Sequence, residues 1–185
     1  MTENHHLIDE DTTFIVQGIT GREAVNLTRE CLDYGSKIVG GVTPGRRGRE
    51  VHGVPVFDSV AQLCAELGTV PDGSVVTVPP AFTKDAVFEA IEAGIKLIVI
   101  VTERIPRADV AQMVEFADEC GARIIGPNCL GIIVPDVIKM GGIGGPAKDA
   151  AKSYRPGPVG VISRSGGMTT EMSSTTRSEP SSAVA

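Results

Sequence analysis

Gly18-Ile19-Thr20-Gly21 stands between the apolar run Phe14, Ile15, Val16 and a stretch whose apolar stripe is Ala24, Leu27, Cys31 and Tyr34. Such a run reads as a strand covered on both faces, and such a stripe as an amphipathic helix. A glycine turn feeding a helix N-terminus presents unpaired backbone N–H groups and the positive end of a dipole, so the chemistry it can do is to hold a phosphate. Thr20 and Glu23 have capping-box spacing, which predicts Thr20 as the cap. A dinucleotide site carries G-x-G-x-x-G and, about 20 residues on, a carboxylate for the ribose hydroxyls. This chain has Gly18-x-x-Gly21, and in the second place Gly40-Gly41-Val42-Thr43-Pro44-Gly45 followed by Arg46, Arg47 and Arg49. Cations in place of the carboxylate suit a nucleotide with an extra ribose phosphate, which means NADP or coenzyme A. The competing reading is a structural strand–turn–helix followed by solvated arginines.

The elements that must position these residues repeat along the chain. Helices end in glycine just before a strand: Gly35 precedes the strand at 37–41, and Gly68 closes a helix with stripe Val60, Leu63, Cys64 and Leu67 behind a Ser59–Gln62 capping box. Gly94 closes a helix begun near Thr83, and Gly121 closes one begun after Pro106 with stripe Val110, Met113, Val114 and Ala117. Between them lie β-rich apolar runs at 74–78, 96–101 and 123–125. This alternation predicts an α/β fold, a parallel sheet with helices on both faces. Right-handed crossovers then gather the loops at 18–21, 43–49, 79–82, 102–104 and 126–129 on one edge of the sheet.

From 133 to 155 the periodicity dissolves into glycine and proline, which predicts an irregular loop and linker. A new strand at 158–162, a glycine turn at 163–167 and a helix from Met168 then open a second βα unit. Residues 173–185 carry too little apolar surface to order themselves. The expected organisation is therefore a first domain at 1–132, a linker at 133–157, an incomplete second unit at 158–172 and a disordered tail at 173–185.

A net charge of −6 argues against general nucleic-acid binding, the arginine loop being a local exception. The four cysteines, at 31, 64, 120 and 129, show no C-x-x-C pair and no metal-ligand spacing, as expected of reduced thiols in a cytoplasmic compartment. The polar, acidic N-terminus is not a signal peptide, and the run at 97–101 is too short to cross a bilayer.

QGITG at 17–21, KIVGGVTPGR at 37–46, FTKDAVFEAIEAGIKLIVIVTERIP at 82–106, IIGPNCLG at 124–131 and VGVISRSGGMTTE at 159–171 together closely resemble the α subunit of succinyl-CoA synthetase (succinate–CoA ligase), from about residue 9 to 172. The resemblance implies a Rossmann-like CoA-binding domain followed by the start of a flavodoxin-like ligase domain, and it favours CoA over NADP. Its CoA-contacting positions fall on Thr20, Gly21, Arg22, Glu23, Arg46, Val101, Thr102 and Glu103. The family usually has Lys at the place of Arg46, and a planar guanidinium fork contacts phosphate differently from an ammonium. In the second unit Gly167, Met168 and Thr170 replace the family's Thr, Leu and Tyr, so Thr170 takes a substrate-side position.

The reaction so implied joins succinate and CoA at the expense of a nucleoside triphosphate, a step of the tricarboxylic acid cycle. The nucleotide and Mg²⁺ sit on a partner β subunit. The family's phosphohistidine lies in a segment this sequence does not contain; His5, His6 and His52 lie outside that context. The polypeptide alone is thus expected to bind CoA and to lack ligase activity, with no catalytic residue of its own. A stand-alone CoA-binding or CoA-sensing module and an NADP-dependent oxidoreductase fragment are the alternatives.

Overall fold

The computed structural model describes residues 7–156 and 163–175. In chain order the elements are β1 (Thr13–Gln17), α1 (Arg22–Asp33), β2 (Lys37–Val42), β3 (Glu50–Val51), β4 (Val54–Phe57), α2 (Val60–Leu67), β5 (Gly73–Val76), α3 (Pro80–Glu92), β6 (Leu97–Ile100), α4 (Arg107–Cys120), β7 (Arg123–Ile125), β8 (Gly131–Val134), β9 (Ile138–Gly141), α5 (Ala147–Ser153) and α6 (Gly166–Thr175). Seven strands form one sheet in the order β3-β4-β2-β1-β5-β6-β7, and β8 and β9 form a separate hairpin. Every pairing in the large sheet is parallel except β3 with β4. The order reverses between β2 and β5, on either side of β1. That is the switch point where open α/β sheets bind ligands.

The sheet separates two apolar layers. On one side α2, α3 and α4 bury Leu63, Val87, Ile91 and Met113 against Ile15, Val76, Ile98 and Ile100. On the other, α1 buries Ala24, Leu27 and Cys31 against Phe14 and Val16, and the β8–β9 hairpin adds Ile138 and Met140 over Val75 and Val99. The central strands are buried at every position from Phe14 to Gln17, throughout β5 and throughout β6. This is why their sequence is a continuous apolar run with no alternation.

The stretch expected to be irregular from 133 onward instead holds the end of β8, then β9 and α5. Its covering function explains the difference. A sheet face left by α1 needs an apolar lid, and a Cβ added at Gly73 would stand 2.5 Å from the Met140 Cε that fills the space. Alternation along β9 turns Lys139 the other way. There its fully buried ammonium lies 3.4 Å from Glu30 Oε2 and donates to the Gly145 carbonyl. Ser36 closes the same seam, its hydroxyl donating to Lys139 O at 2.6 Å and accepting from Lys139 N at 3.1 Å.

Two further expectations need correction, and one pair of strands was not expected. The cap of α1 is Gly21, and no side chain caps it; Thr20 Oγ1 is drawn instead to Thr43 Oγ1 at 3.3 Å. Helix α3 starts at Pro80, not near Thr83, because proline at the first helical position loses no hydrogen bond the helix would use. The loop after the arginines contains the β3–β4 hairpin, whose tip is His52 (φ 51°) and Gly53 (φ 82°). Two consecutive positive φ values are what a two-residue hairpin turn demands. His52 is exposed there. Ser59, by contrast, caps α2 as its spacing predicts, accepting from Gln62 N at 3.1 Å.

The strand expected at 158–162, residues 176–185 of the tail, and His5 and His6 lie outside the described residues. Among the described residues no helix is long and apolar enough to cross a membrane, and no group of three or more His, Cys, Asp or Glu side chains is placed to hold a metal ion. All four cysteines are free thiols. Burial pushes the Cys31 thiol up to about 11.

Candidate functional site along the strand ends

Parallel strands put the loops after β2, β1, β5, β6 and β7 side by side on one edge, in that spatial order. Hydrogen bonds stitch each loop to the next. Gly18 N donates to Val42 O at 2.7 Å, and Thr77 N and Oγ1 donate to Gln17 O at 3.0 and 2.7 Å. Val101 N reaches Val76 O at 3.0 Å, Thr102 Oγ1 reaches Val78 O at 2.7 Å, and Asn128 N reaches Thr102 O at 3.0 Å. The edge is therefore one connected surface, fixed before any ligand arrives.

The first turn is shaped by two glycines. Gly18 has φ 84°, and a Cβ there would meet Thr77 Oγ1 at 2.9 Å. Gly41, on the neighbouring strand, lets Ile19 lie flat against the backbone; a Cβ there would stand 2.4 Å from Ile19 Cδ1 and 2.7 Å from its Cβ. With Ile19 fully buried and Gly21 uncapped, the first amides of α1 point out of the helix end toward the loops. Gly41→Ala should consequently push Ile19 out of place, costing about 1–3 kcal/mol of stability and weakening phosphate binding at the turn. Chemical denaturation and a ligand titration on the same variant measure both effects.

Thr20, Gly21, Arg22 and Glu23 thus form the opening of α1, with the last three exposed. Arg46 lies one strand away, past β2, and the two loops touch through Thr20 and Thr43. Arg46, Arg47 and Arg49 are all exposed, and none is ion-paired with a described residue. On the other side of the turn a cavity of about 540 Å³ opens between α1 and the later loops. Glu23 and Leu27 wall it from α1, and 77–80 from the β5 loop. Val101, Thr102, Glu103 and Arg104 wall it from the β6 loop, and 128–130 from the β7 loop. The structure therefore brings together Glu23, Val101, Thr102 and Glu103 in one cavity, with Thr20, Gly21 and Arg22 at its edge and Arg46 on the adjoining loop. Thr170 is not in this lining; its hydroxyl is 2.8 Å from the Tyr154 phenol.

Several residues of the edge were not singled out by sequence reasoning. Gln17, 1% exposed, binds Ala86 O through Nε2 at 2.8 Å and receives the Ser74 hydroxyl on Oε1 at 2.8 Å, fixing β1 to β5 and α3. A glutamine inside an otherwise apolar strand was the available signal. Arg104 holds a positive φ of 61° at the cavity rim, its Nε 3.6 Å from Glu103 Oε1. Cys129 packs against the β6 end, and burial raises its thiol pKa. A second groove, of about 670 Å³, lies at the opposite edge and is lined by Asp9, Asp72, Lys96 and Arg123 among others. It is at the strand N-terminal ends, where Gly94 and Gly121 close helices α3 and α4, and its lining holds no helix N-terminus and no part of the arginine loop.

Comparison with known proteins identifies relatives of the chain and of its fold. The chain is 47% identical over 163 residues to the succinate–CoA ligase [ADP-forming] subunit alpha 2 of Archaeoglobus fulgidus, covering 88% of this chain and 54% of the relative. It is 40% identical over 167 residues to the subunit alpha of Aquifex aeolicus, covering 89% and 52%. The chain thus spans about half the length of the curated relatives it matches. Among solved structures the fold matches ATP citrate lyase from Methanothrix soehngenii in complex with citrate and coenzyme A. That match has a TM-score of 0.79 at 21% identity and covers 91% of this chain and 29% of that one. It also matches PH0766 from Pyrococcus horikoshii with a TM-score of 0.70 at 25% identity, covering 91% and 38%. The model of the CoA binding domain matches residues 9–104, a span that contains the first turn, the arginine loop and the β6 loop, and the chain belongs to the CoA-binding domain family.

Proposed function

We propose that this chain is the CoA-binding portion of an acid–CoA ligase, and that CoA lies along the strand-end edge just described. The observation that carries the reading is the side-by-side placement of a helix N-terminus with no side-chain cap and a loop of arginines that have no ion pair among the described residues. The amides of Arg22 and Glu23 face the CoA diphosphate, where helix dipole and N–H groups act together; Thr20 and Gly21, whose own N–H groups go to Thr43 Oγ1 and Gly18 O, shape the turn beside it. Arg46, with Arg47 and Arg49 beside it, takes the ribose 3′-phosphate as a charge-assisted pair. From β2 to β7 the edge spans roughly 19 Å at the usual inter-strand spacing, so the pantetheine arm extends over the β5 and β6 loops into the cavity. There Val101, Thr102 and Glu103 meet its amides.

Kinship with the α subunits supports succinate as the acid, a nucleoside triphosphate as the energy source, and a β subunit carrying nucleotide and Mg²⁺ as the partner. The ligase unit is assigned from residue 158, and Thr170, held by Tyr154, takes the acid-facing position in it. The division into a CoA-binding domain at 1–132 and a later ligase unit is part of the same proposal, although β8–β9 shares the core of the first. Four free thiols fit a reducing cytoplasmic setting.

Calorimetric titration with CoA, 3′-dephospho-CoA and NADP tests this. CoA is expected to bind at least tenfold more tightly than dephospho-CoA, since one charge-assisted phosphate contact is worth about 1.5–3 kcal/mol. A preference for NADP would overturn it.

A further inference from the structure

Asp58 stands between β4 and α2, directly before the Ser59 cap. A carboxylate beside three arginines would be expected to pair with a guanidinium; this one does not. Its Oδ1 accepts from the main-chain N–H of Arg46 at 3.0 Å and of Arg47 at 3.2 Å. Its own N–H donates to Gln62 Oε1 at 3.1 Å. The Arg46 N–H is shared with Thr43 O at 3.1 Å, and Arg49 N closes back on Arg46 O at 3.2 Å. Asp58 therefore spends its charge on the backbone of the loop, and its position is itself fixed by the first turn of α2.

Two consequences follow from that arrangement. The loop amides of Arg46 and Arg47 are already occupied, so an anion arriving there is held by guanidinium groups and not by a backbone nest. And the loop is tied down on its inner side while the arginine heads stay exposed and without an ion pair among the described residues. We propose that Asp58 is a positioning residue for the 3′-phosphate end of the CoA site: it fixes the loop from which Arg46 reaches the ligand, so that less conformational entropy is lost on binding. This rests on the CoA reading above. Because the hydrogen bonds need an acceptor and not a charge, Asn at this position serves as well as Asp, and removing the carboxylate's repulsion for phosphate works in its favour.

The test measures affinities of wild type, Asp58→Ala, Asp58→Asn and Asp58→Ser for CoA and 3′-dephospho-CoA, with thermal denaturation of each. In wild type CoA is preferred. Asp58→Ala is expected to lose about tenfold of that preference while its affinity for dephospho-CoA stays within about twofold, the size of effect that one or two lost hydrogen bonds produce. Asp58→Asn is expected to keep the preference. Asp58→Ser, whose oxygen sits one bond nearer the backbone than Oδ1 and falls short of the two donors, is expected to behave as Asp58→Ala in a residue that still suits the start of a helix, which covers the case of an alanine variant that does not fold. Unchanged preference in the Ala and Ser variants, or equal losses for both ligands, would overturn the role of Asp58 and leave the CoA site standing. Equal binding of the two ligands by wild type would overturn the arginine-loop assignment, and Asp58 with it.

Discussion

Replacing Lys139 by alanine is expected to destabilise the folded chain by about 3–5 kcal/mol, the usual loss when one partner of a buried ion pair is removed. The ammonium is fully buried, the Glu30 carboxylate is 20% exposed, and the Gly145 carbonyl has the same nitrogen as its donor. Removing Lys139 leaves both acceptors without their donor and opens a cavity between α1, β9 and the approach to α5. Lys139→Met keeps the volume and is expected to recover part of the loss. Adding Glu30→Leu to Lys139→Met should recover more, because exchanging both members of such a pair for apolar groups is often close to neutral. The cycle of wild type, Lys139→Met, Glu30→Leu and the double variant, read by urea denaturation midpoints, isolates the coupling. A Lys139→Ala variant within 1 kcal/mol of wild type would show that the β8–β9 hairpin does not unfold with the main sheet.

Arg46→Ala is expected to weaken CoA binding by about 1–3 kcal/mol, a rise in Kd of roughly five- to 150-fold, with little effect on 3′-dephospho-CoA. The guanidinium is exposed and free of any ion pair among the described residues, so its removal breaks no internal contact and any loss belongs to the ligand. Arg46→Lys keeps the charge but not the two-pronged geometry, and is expected to fall between. The wild-type advantage should shrink as salt rises, since an exposed phosphate–arginine pair is screened. An alanine variant with unchanged affinity for CoA would place the 3′-phosphate elsewhere.

What the sequence made legible follows from which parts of this fold are locally determined. The strands from β1 to β7 in the parallel core are apolar at nearly every position and bounded by glycine, so β1, β2, β5, β6 and β7 could be located within a residue or two. The arginine loop was legible as charge, and the first turn as glycine spacing. What escaped was set by tertiary partners. β9 is four residues long and sets Lys139 between its two apolar residues, and Lys139 is buried only through Glu30 and Gly145, which lie outside the strand. The short helix α5 packs against α1 and α6 and has little intrinsic reason to form alone. Pro55 disguised β4, a strand that tolerates proline because it lies near the sheet margin. Thr20 satisfied the capping pattern, yet its hydroxyl went to Thr43, a neighbour that only the β1–β2 pairing creates. Nothing in the sequence marks Asp58, because its bonds to Arg46 and Arg47 depend on the loop folding back over β4.

The central claim is one of place: CoA along the C-terminal strand ends, its phosphates between the opening of α1 and Arg46. A backbone-amide NMR titration with CoA reads that place directly. The account predicts the largest shifts at Thr20, Gly21, Arg22, Glu23, Arg46, Val101, Thr102 and Glu103. Shifts confined to Asp9, Thr12, Lys96 and Arg123, around the groove at the opposite edge, would contradict it.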